Sequence, residues 1–301
     1  MDRARRAAEL ADVGGGCVGE VDRESIRGLD DRRAAQGPHR APLLPRVQMR
    51  VMIYQDRTIL ITGGATGIGL ALAERFVRAN NKVIVCGRRE AALAEARAGV
   101  PGLHTVRADV STSQERVALL ERITREHPEL DILINNAGVQ NHPPPLTQAQ
   151  DWSQHAHEIE TNLGAPMHLA MLFLPHLLSR PEAAILNVSS GLAFTPIAGV
   201  ATYCATKAAL HSFTLSLRAA LTGTRVSVVE IIPPAVSTDL GGAGVHANAE
   251  PLGAYADDVM RRLIAGELEF GYKSSEERRN ASRGELDRRY ALANGLRPPV
   301  R

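Results

Sequence analysis

Thr58-Ile59-Leu60-Ile61-Thr62-Gly63-Gly64-Ala65-Thr66-Gly67-Ile68-Gly69 joins an apolar run of strand length to a glycine-rich turn and then to GIGLALAERFVRAN, where apolar residues recur at helical spacing. A strand, a glycine turn and a helix start in that order bring backbone N–H groups and the positive end of a helix dipole to one point. A pyrophosphate can sit there with no side chain in the way. Glycine spacing alone does not demand this, because Gly63, Gly64, Gly67 and Gly69 could form a tight turn and nothing more. The spacing TGxxxGxG differs from the dinucleotide fingerprint GxGxxG, and the GK[ST] of a P-loop is absent. The helical pattern ends in Asn80-Asn81, residues that tolerate a left-handed helix end.

Working outward, further strand-length runs stand at 82–86 (KVIVC), 103–108 (LHTVRA), 131–135 (DILIN), 183–189 (AAILNVS), 226–232 (VSVVEII) and 268–272 (LEFGY). Helical patterns separate them, which is the signature of βαβ units and a parallel sheet with right-handed crossovers. The expected fold class is α/β: a doubly wound, Rossmann-type single domain of about seven parallel strands with helices on both faces, spanning residues 51–275. Residues 1–50 are rich in Arg, Asp and Gly and show neither period. They are expected to be a disordered or non-native N-terminal extension, with the folded chain starting near Met49 or Met52. Residues 276–301 read as an exposed C-terminal helix and a loose tail.

The 301 residues carry a net charge of +2 with both signs spread along the chain, so neither nucleic acid nor a membrane surface is an expected partner. Cys17, Cys86 and Cys204 form no CxxC pair, which leaves no disulfide framework and no zinc site, and no metal is expected. A reducing cytoplasm fits that usage. The longest apolar stretch, Leu163 to Leu178, is broken by Pro166, His168, Pro175 and His176 and is shorter than the ~20 residues needed to cross a bilayer. It reads as a buried or subunit-facing helix. No apolar run follows the charged first residues, so a secretory signal is not expected. His155 and His157 lack metal-ligand spacing and read as a polar helix face. The Asn187-Val-Ser and Asn280-Ala-Ser matches to a glycosylation site read as chance.

The second strand ends in Cys86-Gly87-Arg88-Arg89, where an acidic residue would hold the 2′-hydroxyl of an NAD ribose. No carboxylate stands there. Arg88 and Arg89 suit a 2′-phosphate through charge-assisted hydrogen bonds, which points to NADP(H) with NAD(H) as the alternative. The competing reading makes both arginines solvated residues opening the helix REAALAEARA.

Ser190 follows the fifth strand, at the carboxyl edge where open α/β sheets bind ligands, and its hydroxyl could hold a carbonyl or carbinol oxygen. Tyr203 and Lys207 then stand four apart on one face of a long helix. A phenol with a pKa near 10 exchanges protons poorly at neutral pH, and a nearby ammonium would be expected to lower it. Lysine occurs only at Lys82, Lys207 and Lys273 in this arginine-rich chain. A slender ammonium can reach both a phenol and ribose hydroxyls where a guanidinium fork would fit differently.

With these motifs in place, residues 56–272 resemble the short-chain dehydrogenase/reductase family in its shorter, single-domain form. The resemblance implies a catalytic tetrad of Asn162, Ser190, Tyr203 and Lys207, with Asn162 holding a water linked to the lysine. It implies a cofactor site built from Gly63, Thr66, Gly67, Ile68 and Gly69, Arg88 and Arg89, Asp109 and Val110 beside the adenine, and Asn136, Ala137 and Gly138 of the NNAG run. Tyr203 and Lys207 complete it, with Pro233, Val236 and Thr238 at the nicotinamide. Pro234 departs from the family's PGxVxT by replacing the glycine, which fixes φ and removes a donor. GRREAALAEA, SSGLAF and YCATKAALHSF resemble a bacterial oxidoreductase branch associated with teichoic-acid D-alanylation.

The implied function is hydride transfer between NADP(H) and a carbonyl or alcohol on a small molecule, with tyrosine as general acid and base, in a homodimer or homotetramer. The alternative is a non-catalytic dinucleotide-binding sensor or scaffold, disfavoured because all four tetrad positions are filled. An epimerase or dehydratase is disfavoured by the short region after residue 238 and by the TGxxxGxG spacing. His142, in the loop after the fourth strand, is either a substrate contact or solvated.

Overall fold

All five residues of β1 (Thr58–Thr62) are buried, and they alternate between two cores. Ile59 and Ile61 point to one, Leu60 to the other, as the period-2 geometry of a strand requires when both faces are covered. The computed structural model describes residues 54–246 and 249–297. The expected boundary near Met49 or Met52, the N-terminal extension, and the last residues of the tail lie outside them.

The strands β2 (Lys82–Gly87), β3 (His104–Arg107), β4 (Leu130–Asn135), β5 (Ala183–Val188), β6 (Val226–Ile232) and β7 (Glu269–Gly271) join β1 in one parallel sheet. Their order is β3-β2-β1-β4-β5-β6-β7. The chain winds outward from β1 in one direction, then restarts at β4 and winds in the other. The β1/β4 gap is therefore the topological switch point, where a crevice opens at the strands' carboxyl ends. The fold is the doubly wound, Rossmann-type single domain that the sequence predicts.

One face is covered by α1 (Gly67–Arg78), α2 (Glu90–Gly99) and α7 (Leu252–Ile264), which bring Phe76, Leu93 and Tyr255 onto the sheet. The other is covered by α3 (Ser113–Glu126), α5 (Ala165–Leu178) and α6 (Ala201–Ala220) through Ile123, Phe173 and Phe213. A short helix, α4 (Trp152–Ile159), runs into α5 through one π-turn, Glu160–Gly164. No described helix is long and apolar enough to cross a membrane.

The C-terminal segment, expected as one exposed helix, forms two: α8 (Ser274–Asn280) and α9 (Arg283–Ala293). Ser282 restarts the chain with a capping box to Glu285. Both helices are tied to the body. The Ser275 hydroxyl donates to Ile232 O at 2.6 Å, and Asn294 accepts from Ala198 N at 2.8 Å. The NVS match also has a structural answer, since Asn187 is fully buried and bonded to Asn135 and Thr214.

Glu230 on β6 is fully buried, and its two oxygens take the Ser189 hydroxyl at 2.6 Å and His211 Nδ1 at 2.8 Å. The hydrogen bond to Glu230 holds the His211 pKa above the ordinary value of about 6.5, outweighing burial. A raised folded-state pKa means that the pair stabilises fully below about pH 6.5 and loses that contribution as pH rises through the folded value. Thermal melts should therefore show a Tm that falls as pH rises above about 6.5. His211→Gln should flatten that fall, and an unchanged slope in the variant would show that the pair does not titrate in this window.

Candidate active site

The carboxyl edge at the switch point holds a cleft of about 960 Å³. Gly63, Thr66, Gly67 and Ile68 line it from the turn after β1, and Arg88 and Arg89 from the end of β2. Asp109 and Val110 follow β3, and Asn136, Ala137 and Gly138 follow β4. Tyr203, Lys207, Pro233 and Thr238 close the far end. Gly69, Asn162, Ser190 and Val236 are buried and do not line this cleft.

The first turn is shaped by contacts that only glycine permits. Gly63 has φ +62°, and a Cβ there would stand 2.8 Å from Ala137 Cα. At Gly69 a Cβ would stand 2.5 Å from Asn136 Nδ2. Thr66 precedes α1 without capping it, and no acidic residue occupies the first turn, so the helix start faces the cleft with its amides open. Arg89 Nη2 reaches Thr66 Oγ1 at 3.4 Å and Arg88 Nη1 lies 3.3 Å from His157 Nε2. Neither guanidinium has a carboxylate partner among the described residues. A glycine-cleared turn and an open helix start fit the pyrophosphate of a dinucleotide, and Arg88, whose charge acts on Asp109, stands with Arg89 on the same cleft. Despite Pro234, the following loop is held in place: Ser237 N donates to Glu250 O at 2.9 Å and Glu250 N to Ala235 O at 3.1 Å.

Tyr203 and Lys207 share one face of α6, as their spacing predicts, and both are buried. Ser190 lies close enough to Tyr203 to act on the phenol, and its hydroxyl accepts from Leu192 N at 3.1 Å. The expected depression of the phenol pKa is not found: burial raises it, partly offset by Ser190. The reason is geometric. Lys207 Nζ lies 5.6 Å from the centroid of the Tyr203 ring and donates to Val188 O at 2.9 Å. Burial pulls Lys207 down to about 8, opposed by the charges of Glu158 and Glu230. Asn162 sits in the π-turn and clamps Val139 with both ends of its amide, accepting from N and donating to O at 2.8 Å each.

The model of the short-chain dehydrogenase family matches residues 57–248. The chain belongs to that family. It is 43% identical over 248 residues to the uncharacterized oxidoreductase DltE of Bacillus subtilis, covering 81% of this chain and 98% of the relative. It is 33% identical over 178 residues to the NADP-dependent 3-hydroxy acid dehydrogenase YdfG of Escherichia coli, covering 58% of this chain and 71% of that one. Among solved structures, a short-chain dehydrogenase from Sphingobium yanoikuyae in complex with NADPH superposes with a TM-score of 0.64 at 27% identity, over 71% of this chain and 87% of that one.

Several groups around the site of this dehydrogenase are silent in its sequence. Glu158 is buried, accepts Asn141 N at 3.0 Å, and faces Lys207 and Tyr203 electrostatically. Burial raises its pKa. In a helix of mixed polarity it reads as a solvated acid, and only the packing of α4 against α6 turns it inward. His155, read as part of a polar face, is buried and lies 2.7 Å from Thr202 Oγ1, joining the same two helices. His157 keeps to the surface beside Arg88. His142 packs against the loop after β6, its Nε2 2.7 Å from where a Cβ on Gly241 would stand.

Gly63→Ala should cost roughly 2–3 kcal/mol, from left-handed strain and the clash with Ala137, and lower Tm by about 5–10 °C. Gly99→Ala, where a Cβ meets nothing within 4 Å, should leave Tm unchanged or slightly higher. Equal melting shifts in the two variants would contradict the reading of Gly63 as sterically required.

Proposed function

We propose that this dehydrogenase interconverts a carbonyl and an alcohol on a small molecule, using NADP(H), with Tyr203 as the general acid and base. The reading rests on one observation above the others: Tyr203 and the buried Lys207 line the far end of a cleft whose near end is a glycine-cleared turn at an open helix start, with Ser190 buried next to the phenol. Gly63, Gly67 and Ile68 would hold the pyrophosphate, Arg88 and Arg89 a 2′-phosphate, Asp109 and Val110 the adenine, and Pro233, Val236 and Thr238 the nicotinamide end. Bound there, the cofactor supplies or accepts the hydride.

The chain's own residues handle the oxygen and the proton. Ser190 donates to the substrate oxygen and holds it beside the phenol. Tyr203 protonates that oxygen in reduction and takes the proton back in oxidation. Burial supports the acid role, because a phenol with a raised pKa is fully protonated at neutral pH and gives up its proton only to a stronger base such as a developing alkoxide. Lys207 would meet the ribose hydroxyls and the tyrosine from one side of the cleft. Asn162, through its clamp on Val139, positions the strip that follows Gly138.

The preference for NADP(H) over NAD(H) is supported by Arg88 and Arg89 and by the NADP dependence in the name of YdfG. A reducing cytoplasm is supported by two buried free cysteines, Cys86 and Cys204. A homodimer or homotetramer is supported by Trp152, Met171, Leu178 and Leu215, large apolar residues exposed on α4, α5 and α6. Light scattering at micromolar concentration tests the last point, and a monomer is the contrary result.

The mechanism is tested with NADPH and a panel of ketones and aldehydes, following the reduced nicotinamide. On any substrate found, Tyr203→Phe should lower turnover by about 10² to 10⁴ with little change in cofactor affinity. Lys207→Ala should weaken both. Arg88→Ala should weaken NADPH binding by about tenfold, the loss of one charge-assisted contact, and leave NADH binding nearly unchanged. Tyr203→Phe with more than about a tenth of the parent rate would place the proton donor elsewhere.

A further inference from the structure

Arg278 stands on α8, half-buried, and its side chain makes no hydrogen bond or ion pair among the described residues. Its neighbours do better. Arg279 reaches Glu276 at 2.7 Å, Arg283 reaches Asp287 at 2.9 Å, and Arg289 takes Glu277 at 3.0 Å, the acid next to Arg278 in sequence. Arg278 Nε is buried with nothing to accept from it. A charged donor removed from water without an acceptor is costly, and buried groups left in that state call for a partner.

The place of this guanidinium is specific. The Ser275 bond to Ile232 O pins α8 at the carboxyl end of β6, against the turn Gly191–Ala193. There Arg278 Nη1 lies 3.2 Å from where a Cβ on Gly191 would stand, so the space it occupies exists because residue 191 is glycine. Gly191 directly follows Ser190. The Arg278 charge is felt by Arg289 and Glu277 and, more weakly, by Cys204, which directly follows Tyr203. Thr195, on the same stretch as Gly191, also has a buried hydroxyl without a partner. Between these polar points, Leu192, Ile197 and Leu240 pack on Val200, Tyr203 and Cys204 as a small apolar cluster.

We propose that Arg278 recognises a carboxylate on the substrate, so that the substrate is an oxo or hydroxy acid whose reacting C–O group is separated from its carboxylate by a short hydrocarbon chain. The proposal rests on the function proposed above and extends it to a substrate class. The guanidinium adjoins Gly191, the residue that directly follows Ser190, so its charge stands beside the segment that carries the Ser190 hydroxyl. The apolar cluster suits the chain between. A single planar guanidinium matches a carboxylate through two parallel N–H···O bonds, and its cost of burial is recovered when that anion arrives.

The experiment uses the full chain with NADPH and matched pairs: acetoacetate, 4-oxopentanoate and 5-oxohexanoate, each beside its methyl ester, which keeps the ketone and loses the charge. Wild type should favour at least one acid over its ester by about tenfold or more in kcat/KM. Arg278→Ala should collapse that ratio toward one through a higher KM for the acid, and Arg278→Lys should restore part of it. Thermal melts confirm that both variants are folded. In parallel, saturation-transfer NMR reads binding of the three acids to the protein with NADP⁺ present. An acid preference that survives in Arg278→Ala overturns the proposal, as does a wild type that favours the esters. Acid binding lost in Arg278→Ala, with neither acid nor ester reduced, would support the carboxylate site and count against the oxidoreductase reading. Absence of acid binding together with absence of acid turnover overturns the proposal, whatever the esters do.

Discussion

One hydroxyl holds the mouth of the cleft together. Thr62, the last residue of β1, donates from Oγ1 to Ile134 O at 3.4 Å and accepts the N–H groups of Asn136 at 3.1 Å and Ala137 at 3.0 Å. The Asn136 amide returns the connection, donating to Thr62 O at 2.9 Å and Gly63 O at 3.2 Å. The strands have ended at this point, so their ladder no longer pairs the backbone. Each of these groups would otherwise be a buried donor or acceptor without a partner, at a cost of about 1–3 kcal/mol. The knot spans the switch point just past the end of the β1–β4 ladder, where the chain winds away in both directions. It also explains Gly63 and Gly69, since the atoms that tie the two turns together fill the space their side chains would need.

The far end of the cleft is governed by buried charge. Lys207 is buried and donates to one backbone carbonyl, Val188 O. Two buried carboxylates face it, Glu158 from α4 and Glu230 from β6, and their charges oppose the desolvation that would strip its proton. They are not equivalent. Glu230 has both oxygens committed to Ser189 and His211, whereas Glu158 accepts one backbone N–H, from Asn141 on the cleft wall. Of the two, Glu158 also keeps negative charge near the phenol, so together with burial it favours the protonated tyrosine. This explains why the simple pairing of a lysine with a tyrosine four residues away does not predict the phenol's pKa: the desolvation of a buried helix face exceeds the influence of an ammonium 5.6 Å from the ring centroid.

What could be read in the sequence was whatever depends on local pattern. The seven strands stand within a residue or two of their apolar runs, because the central strands are buried on both faces and are therefore largely apolar. The glycine turn and the shared helix face of Tyr203 and Lys207 were legible for a related reason: each is set by spacing along a single element. Groups that act across elements left no such trace. Glu158 and His155 look like any polar residues on a short helix until α6 packs on them, and the single π-turn that aims Asn162 at Val139 has no periodic signature over five residues. The C-terminal segment reads as one exposed helix and a loose tail because α8 and α9 are dense in Arg and Glu, a composition that also suits a solvated surface.

That difference follows the division of labour in the fold. A dinucleotide is the same molecule in every enzyme that binds it, so its site can be built from backbone amides and glycines held by one turn, and backbone geometry is written locally. The remaining wall is assembled from side chains of remote segments: the stretch after β5, the loop after β6, and the helices after β7, which meet only because Ser275 and Asn294 fasten the chain's end to Ile232 and Ala198. Composition cannot separate an arginine that serves as surface charge from one with a ligand to hold. Accounting for partners can, since among the described residues Arg279, Arg283 and Arg289 each close on a carboxylate while Arg278, which adjoins Gly191, does not. In a fold of this kind the substrate is therefore to be sought in the polar groups that the protein's own contacts leave unsatisfied.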